Sequence, residues 1–313
     1  MSEIQVSIVI PTLNSEATFE ACLNSIRANN SKYPYEIIVA DAGSKDKTLE
    51  IAHKYADKVL TGVPGRINRN IGIENSSGNI ICFTDSDCIV PANWINGLTD
   101  GLLRLNEKDS NIIGVGSGNI PILENISSME LAVAYAIRSP LVSYKARNVI
   151  TFNSEQQVSH NPPISSAYFR NVLEEMEGFR EEPGYPEDLD LDTRLIEKGY
   201  KLYYLPDFLV YHKHKSSLLA FGRQMHDFGR KRIRVNREHP DIARFFHYGP
   251  IFLFIMIFIP PLIVPLGMSI VNSMYVTLKE RKAKLFFPVI LLTMCFYFFF
   301  GLGELTQVFK RAN

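Results

Sequence analysis

Three carboxylate clusters in the 313-residue chain have a spacing that chemistry can use. Asp85-Ser86-Asp87 follows the apolar run Asn79 to Thr84, so two carboxylates leave a buried strand together. Hard divalent cations such as Mg²⁺ and Mn²⁺ prefer oxygen ligands and are commonly shared between such carboxylates and substrate phosphates. The same pair also suits a solvated or capping turn. His212, at the end of another apolar run, offers a third ligand through neutral imidazole, or else a hydrogen-bonded surface ring. Glu187-Asp188 opens a helical pattern. A carboxylate there either complements the helix dipole or, facing a substrate hydroxyl, accepts its proton as general base. Asp190 and Asp192 are expected to turn toward other faces of that helix.

Asp41 closes the run Glu36 to Ala40 and opens a turn in which Gly43 permits unusual backbone angles and Asp46 can cap the next helix. Its carboxylate either holds the turn or accepts hydrogen bonds from a nucleotide base or ribose. Pro11, Thr12 and Asn14, after the first apolar run, would supply the facing contacts. Arg66 and Arg69 lie on or before the helix preceding Asn79, where a guanidinium reaches base or diphosphate oxygens or is simply solvated.

These groups need a frame. Val6 to Ile10, Glu36 to Ala40 and Asn79 to Thr84 are continuously apolar, and amphipathic stretches at Ser15 to Ala28, Asp46 to Tyr55 and Ile67 to Glu74 separate them. The pattern predicts an α/β fold whose parallel sheet is covered on both faces and binds ligands beyond the carboxyl ends of its strands. Ser15 is the expected N-cap of the first helix. Residues 101–161 are less regular, with a strand expected at Ile112 to Val115 and a helix around Ser127 to Ile137. Specificity loops belong in such a region.

Thirty-three basic residues balance thirty-three acidic ones, and 46% of the chain is apolar. That composition describes a folded protein of one large or two modest domains, not a disordered or collagenous chain, and it lacks the basic surplus of a nucleic-acid binder. The average hides an asymmetry. Residues 249–278 contain no Asp, Glu, Lys, Arg or His, and residues 285–303 repeat this. A hydrocarbon core of about 30 Å takes about 20 apolar residues in helix, so each run can span or deeply enter a bilayer. Residues 223–244 carry seven Arg or Lys against three acids, a cytosolic flank that also suits anionic headgroups or a polyprenyl phosphate. Lys279, Arg281, Lys282 and Lys284 would face outward if both runs span, whereas a break at Pro260, Pro261 and Pro265 would keep them cytosolic. A helical hairpin is the favoured arrangement. The first residues carry Glu3, lack a basic n-region and pass into a strand pattern, so the bulk domain is expected in the cytoplasm. Cys22, Cys82, Cys88 and Cys295 have no C-x-x-C pairing and read as reduced, apolar side chains.

Four blocks in order between residues 6 and 240 resemble family 2 glycosyltransferases with the GT-A fold: VSIVIPTLNSEATFEACLNSI, EIIVADAGSKDKTLEIA, GRINRNIGIENSSGNIICFTDSDC and GYPEDLDLDTRLIEKGYKLYYLPDFLVYH. The resemblance implies a Rossmann-like nucleotide-diphospho-sugar transferase domain and inverting transfer of a sugar from a UDP- or GDP-linked donor. It implies that Thr12, Asn14 and Asp41 touch the nucleotide, that Asp85 and Asp87 handle ribose, diphosphate and metal around Ser86, and that Asp188, beside Glu187, is the base. A base-activated hydroxyl would attack the anomeric carbon opposite the leaving diphosphate. The segment from Arg223 to Arg232 looks like the basic segment of succinoglycan-type and lipid-linked sugar transferases. It marks Arg223, Gln224, Arg230, Lys231 and Arg232 as acceptor or headgroup candidates. Processive relatives usually carry Gln-x-x-Arg-Trp. Here Met225, His226 and Asp227 follow Gln224, and Trp94 is the only Trp, which favours addition of a single sugar.

The expected organisation is a GT-A catalytic domain at residues 1–222, a basic juxtamembrane segment at 223–248, and a C-terminal transmembrane hairpin of two apolar helices at 249–313. The expected activity is transfer of one sugar, dependent on Mg²⁺ or Mn²⁺, from a nucleotide diphosphate sugar to a polyprenyl- or dolichyl-phosphate-linked acceptor. It would take place at the cytosolic face of a multi-pass cell-membrane protein, with no nucleic-acid partner. Transfer to an exopolysaccharide or other glycan is the alternative. A catalytically silent nucleotide-sugar-binding scaffold is a third reading, against which stand the acids Asp41, Asp85, Asp87 and Asp188.

Overall fold

The computed structural model describes residues 5–62, 67–124, 126–143, 152–182, 186–214, 217–240, 245–258 and 262–309. Its strands are β1 (Val6–Thr12), β2 (Tyr35–Asp41), β3 (Lys58–Thr61), β4 (Ile80–Thr84), β5 (Cys88–Ile89), β6 (Ile112–Gly116), β7 (Asn119–Pro121), β8 (Gln156–Val158), β9 (Ser165–Phe169), β10 (Lys201–Tyr204) and β11 (Val210–His212). Its helices are α1 (Glu16–Arg27), α2 (Thr48–Tyr55), α3 (Asn68–Glu74), α4 (Trp94–Lys108), α5 (Ser128–Ile137), α6 (Pro140–Ser143), α7 (Arg170–Glu175), α8 (Glu187–Glu197), α9 (Leu218–Glu238), α10 (Gly249–Ile257), α11 (Ile263–Glu280) and α12 (Phe286–Phe309). The chain forms two compact units, one from residues 1–120, 150–183 and 187–212, the other from residues 121–149, 184–186 and 213–313.

The first unit is built on an eight-stranded sheet in the order β3-β2-β1-β4-β9-β6-β10-β8, with β5-β11-β7 as a small second sheet. Successive side chains of a strand point to opposite faces, and both faces are covered. Val6, Ile8 and Ile10 of β1 pack with Phe19 and Leu23 of α1 and Trp94 and Leu98 of α4. Val9 joins Ile73 of α3, Leu173 of α7 and Leu191 and Leu195 of α8 on the other side. The sheet is mixed rather than wholly parallel as the apolar runs predict: β9 runs antiparallel between β4 and β6, and β8 antiparallel to β10. The β9 sequence Ser-Ser-Ala-Tyr-Phe opens with two serines and so lacks an apolar signature, yet both are fully buried. Ser165 Oγ accepts a hydrogen bond from Trp94 Nε1 at 2.9 Å, which makes its burial tolerable.

The second unit is helical. Its core joins Leu131 and Val133 of α5, Phe221 of α9, Leu253 of α10, Val276 of α11 and Leu292 and Phe296 of α12. Helices α9 and α12 approach so closely that a Cβ at Gly229 would strike the Phe300 backbone, and one at Gly303 the His226 backbone. The first apolar run is not one helix but two, α10 and α11, on either side of residues 259–261, so the expected pair of apolar helices becomes three. A short turn with Arg281 at φ 52° links α11 to α12, making these two antiparallel neighbours. One helical stretch, Ala283–Phe309, is long and apolar enough among the described residues to cross a membrane, with a mean hydropathy of 2.3.

Candidate active site

Parallel pairing of β1 and β2 puts Thr12 opposite Asp41, so the loops after both strands lie side by side. Asp41 is fully buried. Its Oδ2 accepts from the N–H groups of Gly43 and Ser44, each at 2.8 Å, and its Oδ1 from Ser44 Oγ. Gly43 takes φ +94°, a backbone region that a side chain would strain, and this lets the loop fold over the carboxylate. Asn14 has a positive φ of 48°, and its Oδ1 accepts from Lys45 N–H at 2.8 Å, tying the two loops together. Thr12 Oγ1 is buried without a hydrogen-bond partner among the described residues. Pro11 is half-buried beside it. Ser15 occupies the N-cap of α1, but its hydroxyl makes no cap hydrogen bond; it pairs at 2.8 Å with Ser86 Oγ, joining the first loop to the Asp85-Ser86-Asp87 turn. Asp46 Oδ1 accepts from Thr48 N–H at 3.0 Å at the start of α2.

Asp87 and His212 meet because β5 and β11 pair antiparallel, with Cys88 opposite His212. His212 Nε2 lies 3.4 Å from Asp87 Oδ2. One ligand atom each from Asp87, Cys88 and His212 falls within 4.8 Å of the others, a convergence able to hold a metal ion. Cys88 carries no motif that marks it in the sequence. Burial, followed by the Asp85 and Asp87 carboxylates, pushes its thiol well above the ordinary range, so the sulfur stays protonated and is a poor ligand for a hard cation. Cys22, Cys82 and Cys88 are buried free thiols and Cys295 a half-buried one.

Arg69 links this turn to the start of α8. Its Nη2 donates to Asp85 Oδ1 at 2.7 Å, and Nη1 stands 3.5 Å from Glu187 Oε1. The guanidinium carbon lies 6.0 Å from the Phe179 ring centroid, and Nε is buried with no partner among the described residues. Residues 102 positions apart in the chain, Asp85 and Glu187, are thus brought to one arginine. Asp188, next in line, keeps a partly exposed carboxylate whose Oδ1 accepts from Leu189 N–H at 2.9 Å.

Asp190 does turn away from Asp188, pairing with Arg194 Nε at 2.7 Å. Asp192 does not. Four residues make slightly more than one helical turn, so positions 188 and 192 share a face, and His160 connects their side chains. His160 Nδ1 lies 2.7 Å from Asp192 Oδ2, and its Nε2 lies 3.7 Å from Asp188 Oδ2. Asn161 N–H and Tyr168 Oη also donate to Asp192, at 2.6 and 2.9 Å. The spacing of 188 and 192 was a usable signal for this group; His160 lies in the irregular middle of the chain, where no motif marks it.

Arg66 lies outside the described residues. Arg223, Gln224, Arg230, Lys231 and Arg232 belong to α9 in the helical unit; Arg223 is exposed and the others are half-buried.

A family model for glycosyl transferase family 2 matches residues 7–176, more than half of the chain. The dolichyl N-acetyl-α-D-glucosaminyl phosphate 3-β-D-2,3-diacetamido-2,3-dideoxy-β-D-glucuronosyltransferase of Methanococcus voltae is 24% identical over 97% of this chain and 99% of its own length. The O-antigen chain rhamnosyltransferase RfbN of Salmonella typhimurium is 25% identical over 67% of each chain. The structure of the mannosyltransferase PcManGT from Pyrobaculum calidifontis, in complex with GDP-Man and Mn²⁺, aligns with 99% of this chain and 89% of that one, at a TM-score of 0.64 and 15% identity. That likeness is one of fold. With the family model matching residues 7–176, the chain belongs to glycosyl transferase family 2 and is a glycosyltransferase of the GT-A type.

Proposed function

We propose that this glycosyltransferase moves one sugar, with inversion, from a nucleotide diphosphate sugar to a lipid-linked acceptor at the cytosolic membrane surface. The observation that carries the reading is the Arg69 bridge, which gathers the Asp85 turn and the first turn of α8 around one point. Residues 1–222 act as the catalytic domain, residues 223–248 as the juxtamembrane segment and residues 249–313 as the membrane region. Pro11, Thr12, Asn14 and Asp41 serve the nucleotide, and Arg69, Asp85 and Ser86 the diphosphate, a role that the sequence also offers Arg66. Asp188 takes the proton of the acceptor hydroxyl, with Glu187 held beside it by Arg69.

Support for a hard divalent cation comes from Asp87 and His212, a carboxylate and an imidazole whose ligand atoms stand 3.4 Å apart, with Asp85 in the same turn and paired to Arg69. Neighbouring ligands of an octahedral cation with bonds of about 2.1 Å stand about 3 Å apart, so little movement is needed. Held by Asp85, Asp87 and His212, Mg²⁺ or Mn²⁺ would neutralise the charge that develops on the departing diphosphate. The choice of cation and donor class draws support from PcManGT, which shares the fold and is described with GDP-Man and Mn²⁺.

The lipid-linked acceptor draws support from the Methanococcus voltae relative, named for a dolichyl phosphate-linked substrate, and from the helical unit. Ser269 and Ser273 of α11 are fully buried and Asn272 is 1% exposed, whereas Ile263 is 76% exposed and Leu278 73%. A helix with hydroxyls and amides inside and aliphatic side chains outside suits hydrocarbon, not water. Helix α9 lies along the end of α12 that carries Gly303 and Val308, where Arg237 donates to the Val308 carbonyl at 2.7 Å. The α11–α12 turn is therefore at the opposite end of the hairpin from basic α9. This favours a spanning hairpin that sends Lys282 to the far headgroup layer and leaves Arg223, Gln224, Arg230, Lys231 and Arg232 at the near one.

The test is turnover of UDP- and GDP-sugars with Mn²⁺, using a phosphopolyprenol in vesicles and a soluble glycan as rival acceptors. Transfer to the lipid, reduced about 10²–10⁴-fold in Asp188→Asn, is expected. Transfer to the soluble glycan alone supports the exopolysaccharide reading. Donor binding without turnover supports the silent scaffold.

A further inference from the structure

The proposed base does not stand alone. His160 is 9% exposed and lies between two carboxylates of α8, with Asp192 against Nδ1 and Asp188 toward Nε2. Asp192 is 1% exposed and serves three donors: the His160 ring, Asn161 N–H and Tyr168 Oη. Burial pushes its carboxyl above the ordinary range, and the His160 ring opposes that rise. Tyr168, itself raised by burial and then by Asp192, stays a neutral donor. A buried carboxylate that accepts from Nδ1–H fixes an imidazole in one tautomer and leaves Nε2 with its lone pair, the logic by which a third group orients the base of a catalytic triad.

We propose that His160 is a positioning and relay residue for Asp188: locked by Asp192 as the Nδ1–H tautomer, it receives through Nε2 the proton that Asp188 takes from the acceptor hydroxyl. This rests on the reading of Asp188 as the base. As the acceptor oxygen bonds to the anomeric carbon, the bond from that carbon to the diphosphate oxygen breaks and its electron pair leaves with the diphosphate. The hydroxyl proton passes to the Asp188 carboxylate and then to Nε2, forming an imidazolium between two carboxylates. It returns to water when the product leaves. An imidazole is by nature a stronger base than a carboxylate, which gives the second transfer its direction. The gap of 3.7 Å exceeds hydrogen-bond length, but the Asp188 side chain is 28% exposed, and such contacts commonly tighten only with substrate bound. The titratable groups facing the ring among the described residues are Asp188 and Asp192 from α8, with Tyr168 of β9 behind Asp192.

The first arm of the test needs no substrate. Nitrogen NMR of the full chain in detergent, labelled with ¹⁵N-histidine and assigned by His160→Gln, should show Nδ1 protonated and Nε2 bare at pH above the midpoint of the ring, where it is neutral. Asp188→Asn should lower the titration midpoint of His160 by about 0.5–1 pH unit, since the lost carboxylate favours the imidazolium. A ring protonated at Nε2, or a midpoint that Asp188→Asn leaves unmoved, overturns the relay. The second arm follows release of UDP from UDP-N-acetylglucosamine, or GDP from GDP-mannose, with Mn²⁺. His160→Gln should lower kcat about 10–100-fold at unchanged donor KM, move the acid limb of kcat to lower pH, and add nothing to Asp188→Asn. If Asp188→Asn is inactive while His160→Gln keeps the normal rate and pH profile, the relay fails and the base stands. Turnover that survives Asp188→Asn removes the base itself.

Discussion

Both units bury an apolar core, but they differ in the polar groups they withdraw and in what they leave outside. In the first, Ile8, Ile37, Ile80 and Leu98 are withdrawn completely, and the buried acids Asp41, Asp190 and Asp192 are each paired with a named donor. In the second, Ser269, Asn272, Ser273 and Thr293 are withdrawn while Ile263, Val271, Leu278 and Phe287 face out. Water accounts for the first arrangement, since removing apolar area from it drives burial. The helices of the second unit are joined by hydrogen bonds such as Asn272 Nδ2 to Thr293 Oγ1 at 2.9 Å and by close glycine packing, contacts that also hold in hydrocarbon, where that drive is absent. One chain thus carries a unit suited to water that gathers the site and, on the proposed function, a unit suited to hydrocarbon.

Matched substitutions sharpen this contrast. Val271→Lys, on the outward face of α11, should cost about 2.5–3.5 kcal/mol of membrane insertion, read as release of the protein in an alkaline wash. Ile196→Lys, on the exposed side of α8, should change stability by no more than about 0.5 kcal/mol. Equal effects from the two would erase the distinction between the units.

A smaller effect is expected from Glu36. Burial raises its carboxyl, but Lys58, Ser7 and Ser77 overcome this and hold it down to about 2. A carboxyl depressed in the folded state stabilises above its unfolded value and loses that contribution as pH falls toward the folded one. Glu36→Gln should therefore cost about 2 kcal/mol at neutral pH, after allowance for the exposed Lys58, with the deficit shrinking from about pH 4.5 down to 2. Denaturant titrations of both proteins across that range check it; a deficit that is constant with pH would assign the stabilisation to packing instead. Smallest is Asn272→Leu, which removes one interhelical hydrogen bond and should cost about 0.6 kcal/mol in micelles. A larger loss would mean that α11 depends on that polar contact more than a lipid-solvated helix should.

Much of the first unit was legible in the sequence. Glu36 to Ala40 and Asn79 to Thr84 announce themselves because buried central strands are continuously apolar, and their ends lead directly to Asp41 and Asp85. The reversed strand β9 did not, since Ser165 and Ser166 occupy positions where hydrogen bonding and small size, rather than hydrophobicity, decide the fit. The Arg69 bridge was legible only as a residue type at a plausible place; its joining of Asp85 to Glu187 is a product of tertiary packing. Asp192 was misplaced by reading successive acids as scattered around α8, when positions 188 and 192 stand one above the other. His160 had no local signal, because its partners lie 28 and 32 positions away.

The central claim is that Asp85, Asp87 and the start of α8 surround a single cation-bound diphosphate. Calorimetric binding of GDP-mannose and of UDP-N-acetylglucosamine, with and without Mn²⁺, tests it most directly in the wild type, Asp87→Ala and Asp188→Asn. Mn²⁺-dependent binding of one donor is expected, surviving Asp188→Asn and lost in Asp87→Ala. Binding of either donor that is indifferent to Mn²⁺ and to Asp87→Ala would contradict it.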